Sequence, residues 1–218
     1  PAVLAAASST GSIACNGGTT TVTVSATGGT TPYTGTGNYT RGAGAYSITV
    51  TDANGCTSVA SGSISQPAVL AAASSTGSIA CNGGTTTVTV SATGGTTPYT
   101  GTGNYTRGAG AYSITVTDAN GCTSVASGSI SEPAVLAAAS STGSIACNGG
   151  TTTVTVSATG GTTPYTGTGN YTRGAGAYSI TVTDANGCTS VASGSISEPA
   201  VLAAASSTGS IACNGGTT

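Results

Sequence analysis

The stretch AYSITVTDANGC at residues 45–56 decides how this chain folds. Apolar and polar side chains alternate from Tyr46 to Thr51, and this two-residue period predicts a strand with one buried face. The next four residues favour a chain reversal, because Asp and Asn side chains bond nearby backbone amides and Gly tolerates positive φ. The stretch therefore predicts a β-hairpin that carries Cys56 just past its turn.

This hairpin belongs to a long internal repeat. It recurs intact at residues 111–122 and 177–188, and Pro1 returns as Pro67, which sets a period of 66 residues. Such a period is typical of a tandem array of structural units. We therefore predict three full repeat modules and the start of a fourth, at residues 1–66, 67–132, 133–198 and 199–218.

Each unit consists of short strands separated by glycine-rich turns. We interpret residues 3–8 as a strand, residues 12–15 as a continuation of that edge, and residues 19–26 as a clear alternating strand. A short strand begins at Pro32, and the hairpin and its return strand at residues 57–64 complete the unit. About six or seven strands in so short a unit predict an all-β sandwich.

The composition argues against several classes of function. A net charge of −2 with three basic residues speaks against nucleic acid as a partner, because that partner needs clustered basic side chains. No apolar run approaches the ~20 residues of a membrane-spanning helix. The chain has no His, and its carboxylates are not paired within a unit, so we expect no enzyme activity. We also expect no cofactor.

The hairpin tips resemble calcium loops only slightly. Each tip has one carboxylate, whereas calcium takes about six to eight oxygen ligands. We therefore expect no metal and assign the tip residues to turn structure; they are Asp52, Asn54, Gly55, Asp118, Asn120, Gly121, Asp184, Asn186 and Gly187.

Seven cysteines are spread along the repeats, two in each full unit and one more at Cys213. No two of them form a CxxC pair and no His lies near them, so zinc binding has little support. Disulfide bonds in an oxidising, extracellular setting are the better interpretation. Few large apolar residues are available in each unit, which also predicts covalent cross-links and contacts with neighbouring units.

Three segments of each unit together resemble a known family. They are CNGG at residues 15–18, TVTVSATGGTTPY at residues 21–33, and the hairpin at residues 45–56. In combination they resemble the SprB repeat of very large adhesins of gliding bacteria, which are exported by the type IX route. The resemblance implies tandem Ig-like β-sandwich modules, joined end to end in an elongated rod on a bacterial cell surface. One departure is the stretch TGTGN at residues 34–38, where the family has an aromatic-rich strand that contains Trp.

The pairing of the cysteines is open among three patterns. The generic pattern for a small secreted domain lies within each module, as Cys15–Cys56, Cys81–Cys122 and Cys147–Cys188. A second pattern crosses a junction, as in Cys56–Cys81. The Ig-like topology that the resemblance implies places the first turn and the last hairpin tip at opposite ends of a module. It therefore favours Cys15–Cys122 and Cys81–Cys188, with Cys56, Cys147 and Cys213 unpaired or paired outside this sequence.

The chain also contains three N-glycosylation sequons. Each is Asn-Tyr-Thr, and the candidate acceptors are Asn38, Asn104 and Asn170. Bacterial proteins commonly leave this motif unused, so the resemblance argues against occupancy.

These observations favour a structural, non-catalytic array that forms an extracellular filament or adhesin stalk stiffened by disulfides. Its expected partners are neighbouring repeats of the same chain and, through lateral self-association, other filaments. The alternative is an adhesive module with a glycan or surface ligand, in which Tyr33, Tyr39 and Tyr46 would offer stacking faces. An ice-binding surface built on the Thr-rich strands is the least favoured alternative, because the strands are broken by glycines.

Overall fold

The computed structural model describes residues 2–207, which form strands and turns and contain no helix. Consequently no helix within these residues is long and apolar enough to cross a membrane. The chain divides into two compact units. The first comprises the chain up to Ser78 together with Thr85–Ser131, and the second comprises Ile79–Gly84 together with the chain from Glu132 onward.

The first unit contains two equivalent sets of five strands. The first set is β1 (Ala5–Thr10), β2 (Thr20–Thr27), β3 (Gly37–Arg41), β4 (Gly44–Thr51) and β5 (Thr57–Ile64). The second set is β6 (Ala71–Thr76), β7 (Thr86–Thr93), β8 (Gly103–Arg107), β9 (Gly110–Thr117) and β10 (Thr123–Ile130). In each set the first three strands form one antiparallel sheet and the last two form an antiparallel hairpin.

The second unit contains one such set within the described residues. It is β11 (Ala137–Thr142), β12 (Thr152–Thr159), β13 (Gly169–Arg173), β14 (Gly176–Thr183) and β15 (Thr189–Ile196). Strands β11, β12 and β13 form a three-stranded antiparallel sheet, and β14 pairs with β15 along its full length. The predicted all-β class is therefore confirmed for the part of the chain that the structure describes.

The two sheets of a set share one apolar core, as the alternating pattern requires. In the first set, inward-facing side chains of β2, β4 and β5 are buried together with Ile13 of the first turn; they are Val22, Val24, Ile48, Val50, Ala60 and Ile64. The half-buried rings of Tyr33, Tyr39 and Tyr46 pack against this cluster. The second unit has the equivalent cluster, which includes the fully buried Val154 and Val182.

Two details of the predicted strands are wrong. Within residues 2–66 there are five strands rather than six or seven, because residues 12–15 and Pro32–Tyr33 are not extended partners of a sheet. After Gly11 donates to the Thr21 carbonyl, the chain leaves the ladder and turns through residues 12–18. Near Pro32 the only ladder-type pairing is an isolated bridge between Thr34 and Thr51, and the Thr30 carbonyl accepts from the Ala53 amide in the hairpin tip.

The first turn and the hairpin tip of a set lie at opposite ends of the sheets. Strand β2 pairs with β1 so that Ala5 faces Thr27, and the hairpin tip lies at this end, where Ala6 donates its backbone N–H to the Ser58 hydroxyl. The first turn follows Thr10 at the other end. An eight-residue strand such as β2 spans about 26 Å. The two cysteines of one repeat are therefore separated by the length of the strands.

Candidate functional site: the disulfide joint

A buried carboxylate shapes each hairpin tip. In the tip at residues 118–122, Asp118 Oδ1 accepts hydrogen bonds from the backbone amides of Asn120 and Cys122, both at 2.9 Å. Its Oδ2 accepts from the Thr96 amide at 2.9 Å, although Asp118 is only 5% exposed. One side chain thus accepts hydrogen bonds from three backbone amides that lie outside the strands, and one of these bonds fixes the position of Cys122.

The same hydrogen bonds hold these carboxyl groups in their ionised form. At Asp52 the Thr30 amide is the main cause of a lowered pKa, which burial partly offsets. At Asp118 and Asp184 burial raises the pKa, but the backbone hydrogen bonds that begin with Thr96 and Thr162 outweigh it and the net pKa is lowered. At neutral pH each tip therefore contains a carboxylate that can only accept hydrogen bonds.

A glycine makes room for the carboxylate. Gly95 has φ of +56°, and a Cβ built there would lie 2.6 Å from Asp118 Oδ2. Gly29 has the same relation to Asp52, with φ of +61° and a distance of 2.7 Å. Any other residue would be strained at this φ and would collide with the acceptor. The Gly-Gly-Thr segment before Pro32 thus packs against the tip and receives its carboxylate.

In the first unit this tip is covalently bonded to the first turn of the preceding repeat. Cys122 forms a disulfide with Cys15, with their Cα atoms 5.7 Å apart. Beside it the side-chain amide of Asn120 donates to the Ala14 carbonyl at 3.0 Å. The contact therefore combines one covalent bond with one hydrogen bond to the backbone.

The turn that receives the tip is also bonded to the chain between the two repeats. The Asn16 side-chain amide donates to the Pro67 carbonyl at 2.9 Å, and the Gly17 amide donates to Gln66 Oε1 at 2.8 Å. Thus the turn holds both the connecting segment and the tip of the next repeat. We refer to the turn, the connecting segment and the tip together as the joint.

The second unit contains the same joint. Cys81 is bonded to Cys188 with a Cα separation of 5.7 Å, and the Asn186 side-chain amide donates to the Ala80 carbonyl at 3.0 Å. On the connecting side the Gly83 amide donates to Glu132 Oε2 at 2.6 Å. The equivalent glutamine and glutamate therefore accept the same backbone hydrogen bond.

The structure thus brings together the cysteines of successive repeats rather than the two cysteines of one repeat. Cys15 is not bonded to Cys56, because those residues lie at opposite ends of one pair of sheets. Among the described residues Cys56 and Cys147 are free, exposed thiols. Cys213 lies outside the described residues.

The sequon asparagines and the tyrosines lie away from the joint. Asn38, Asn104 and Asn170 are exposed on β3, β8 and β13, where each Oδ1 accepts from a threonine hydroxyl of the adjacent strand; these are Thr23, Thr89 and Thr155. The Tyr39 hydroxyl donates to the Gly35 carbonyl, and the Arg41 guanidinium lies 5.4 Å from the centre of the Tyr39 ring. No group of three or more metal-ligating side chains is present within residues 2–207.

Sequence reasoning missed one part of the site, the threonine that follows Gly-Gly. Its backbone amide is one of the three donors to the tip carboxylate, and its hydroxyl accepts from the tip asparagine, as in Asn54 to Thr30 at 2.9 Å. The repeated order Gly-Gly-Thr before a tip that contains Asp and Asn was the available signal. This contact could have been predicted only from a fold that already places residues 28–30 beside the hairpin tip at residues 52–56.

No protein-family model matches this chain, and no curated protein matches it. A similar solved structure is SGBP-B of the Bacteroides ovatus mixed-linkage glucan utilization locus, in complex with a mixed-linkage heptasaccharide. It is 13% identical with a TM-score of 0.16, and the alignment covers 84% of this chain and 65% of that chain. This chain therefore spans less than two thirds of that structure. A TM-score this low does not establish a shared fold.

Proposed function

We propose that this chain is part of a non-catalytic repeat array that forms a stalk or filament on a bacterial cell surface. In this proposal the 66-residue repeats are Ig-like modules, similar to SprB repeats, and each is cross-linked to the next. The observation that carries the proposal is the joint. In both units the hairpin-tip cysteine of one repeat is bonded to the first-turn cysteine of the preceding repeat.

The covalent topology suits a load-bearing element. The two disulfides close overlapping loops, since Cys81 lies inside the loop closed by Cys15 and Cys122. The shortest covalent path from Cys15 to Cys188 runs through both disulfides and the 41 residues between Cys81 and Cys122. Without disulfides the path has 173 residues. At about 3.5 Å per residue, and with 5.7 Å between the Cα atoms across each disulfide, the bonds reduce the maximum extension from roughly 600 Å to roughly 150 Å.

Two further observations support a location outside the cell and a structural role. Disulfides persist in oxidising compartments, and each joint contains a disulfide. The tyrosines that could stack on a sugar are half-buried against the core, and their hydroxyls are bonded within the protein; Tyr46, for example, bonds Ser8 at 2.8 Å. These rings therefore have little free surface for a ligand.

Single-molecule pulling of the chain by its two ends tests the proposal. We expect the oxidised chain to stop extending about 450 Å before the chain treated with reductant, because the disulfides shorten the path. Equal extensions in the two states would overturn the proposal. A measurable affinity of the oxidised chain for a panel of surface polysaccharides, with no effect of reductant on its extension, would favour the adhesive module instead.

A further inference from the structure

We propose that the joint of the first unit is also a binding site for a saccharide. The ligand lies in a crevice that is lined by the first turn of one repeat, the connecting segment and the tip region of the next repeat. This site goes beyond the proposed function, because it gives the stalk a ligand along its length in addition to its mechanical strength.

The crevice opens where two strands of one repeat end side by side. Strand β1 ends at Thr10 and β5 ends at Ile64, and both residues line the crevice. Beyond these ends the turn and the connecting segment are tied together again, because Asn16 and Gly17 bond the connecting segment. The space between them has a volume of about 560 Å³. Small-molecule sites range from roughly 300 to 1,000 Å³, so a disaccharide is a ligand of suitable size.

The lining combines an apolar floor with uncharged polar walls. Ile13 and Ile64 are 4% and 5% exposed and form the floor, and the half-buried Pro67 lies beside them. Within residues 2–207, none of the side chains that line this crevice is charged. A sugar ring presents matching surfaces, since it has C–H groups on its faces and hydroxyls at its rim. The walls carry exposed hydroxyl groups, which belong to Thr10, Ser12, Ser63 and Ser65.

Two side-chain amides in the lining are oriented by hydrogen bonds within the protein. Gln66 Oε1 accepts from the Gly17 amide, which leaves the two N–H donors of Gln66 for another partner. The Asn120 amino group donates to the Ala14 carbonyl and to the Thr96 hydroxyl, which leaves Asn120 Oδ1 as an acceptor. A donor and an acceptor that are ordered beforehand suit the hydroxyls of a sugar, because each hydroxyl can both donate and accept.

The three full repeats differ in sequence only at a residue of this crevice. Their last residues are Gln66, Glu132 and Glu198, and all other positions are identical. In the third set the equivalent crevice has a volume of about 370 Å³, and Glu198 lines it. Glu198 Oε2 accepts from the Gly149 amide as Gln66 Oε1 accepts from Gly17. The substitution therefore keeps the bond to the turn and changes the group that a ligand meets, from an amide donor to a carboxylate.

Saturation-transfer NMR of the full oxidised chain tests for binding. The probes are three neutral disaccharides: cellobiose, maltose and diacetylchitobiose. We expect at least one of them to bind with a Kd of about 1 mM, because the crevice is open to solvent. Absence of saturation transfer to all three would overturn the inference.

Two triple variants with the same substitution locate the ligand. The first replaces the crevice serine of the first repeat and its equivalents, as Ser63→Leu, Ser129→Leu and Ser195→Leu. The second is the matched control, two residues earlier on the same exposed face of each strand, as Ser61→Leu, Ser127→Leu and Ser193→Leu. The first should bind the disaccharide about tenfold more weakly, because leucine fills the crevice and removes a hydroxyl. The control should retain its affinity, and equal affinities in the two variants would overturn the inference.

Exchange of the variable residue tests its contact with the ligand. Gln66→Glu gives a chain with glutamate in all three repeats, and Glu132→Gln with Glu198→Gln gives one with glutamine in all three. At neutral pH the all-glutamine chain should bind digalacturonic acid about tenfold more tightly, because glutamate repels its carboxylates. The affinities for a neutral disaccharide should differ less than about threefold, since its hydroxyls can donate or accept.

Equal affinities of these two chains for digalacturonic acid would overturn the contact between the ligand and the variable residue. The binding measurements do not depend on how far the chain extends under force. A chain that binds no saccharide can still stop extending early in its oxidised state, so failure of this site is distinguishable from failure of the proposed function.

Discussion

Two hairpin tips of the first unit have the same sequence and different surroundings. The tip at residues 118–122 is bonded to Cys15, and its Asn120 donates to the Ala14 carbonyl. The tip at residues 52–56 has a free, exposed thiol. The internal hydrogen bonds of the two tips are nevertheless the same: the aspartate accepts from three amides, and the asparagine donates to a threonine hydroxyl.

The comparison teaches that the disulfide does not shape the tip. The tip conformation follows from residues of the same repeat, because the carboxylate of Asp52 reaches its three donors without any contact to another repeat. The bond to the preceding repeat then joins two surfaces that are already formed. A binding surface that is ordered beforehand loses less conformational entropy when it binds. Substitutions that affect one tip and not the other can therefore separate tip formation from joint formation.

Removing the disulfide should have the largest effect. The double variant Cys15→Ser with Cys122→Ser should lose about 5 kcal/mol of unfolding free energy, because the bond closes a loop with a sequence separation of 107 residues. Cys56→Ser, at the unbonded tip, should change it by less than about 0.5 kcal/mol. Denaturation in guanidinium, followed by circular dichroism, measures both. Similar losses in the two variants would contradict the view that only one tip is joined.

Removing a tip carboxylate should affect both tips in the same way. Asp52→Ala and Asp118→Ala each leave three amides without their acceptor, so the amides of Cys56 and Cys122 should exchange hydrogen roughly tenfold faster. Hydrogen exchange with mass spectrometry measures the rates, and Asn38→Ala, on an exposed strand, is the control. If exchange at Cys122 were protected by the disulfide alone, Asp118→Ala would have no effect there and the comparison would fail.

Acid should weaken both tips over one pH range. Their carboxyl pKa values are lowered on folding from the ordinary value of 3.8, so the unfolded chain binds protons first as pH falls. The stabilisation is fully present above about pH 5 and is lost as pH falls through the lowered pKa values. Thermal melting between pH 7 and pH 2 should show a constant Tm above about pH 5 and a decline below it. The triple variant Asp52→Asn, Asp118→Asn, Asp184→Asn should show a smaller decline of Tm below about pH 5. A decline as large as that of the unsubstituted protein would contradict the assignment of the acid sensitivity to the tip carboxylates.

The hairpin and the second strand could be predicted from sequence because local rules decide them. Alternating side chains from Tyr46 to Thr51 and an Asp-Ala-Asn-Gly turn specify β4 and the tip, and the observed β4 ends at Thr51. Residues 12–15 could not be predicted in the same way. Their apolar Ile13 is buried, as a strand residue would be, but it reaches the core from a turn. Burial of a single residue in a short segment does not distinguish these two structures.

The joint needed information that no single repeat contains. Cys15 and Cys56 have the spacing of an ordinary intradomain disulfide, and the sequence alone left that pairing open. The deciding fact is the distance between the two ends of the sheets, which depends on the paired length of β1 and β2. The contact from Asn120 to Ala14 is likewise a consequence of how two repeats meet. Long-range contacts of this kind leave no periodic trace in the sequence.

The smallest predicted effect isolates the non-covalent part of the joint. Asn54→Ala and Asn120→Ala both remove a hydrogen bond to a threonine hydroxyl of the same repeat, at 2.9 Å and 3.0 Å. Asn120→Ala also removes the bond to the Ala14 carbonyl. It should therefore cost about 1 kcal/mol more unfolding free energy than Asn54→Ala, since a neutral hydrogen bond contributes about that much.

Both asparagine variants should be measured by denaturation with the disulfide intact and in the Cys15→Ser, Cys122→Ser background. If the hydrogen bond depends on the disulfide to hold the surfaces together, the difference between Asn54→Ala and Asn120→Ala should fall to near zero in that background. If the difference persists, the repeats dock without a covalent bond. In that case the repeats dock first and the disulfide forms afterwards. A tip that is already folded before docking favours this order.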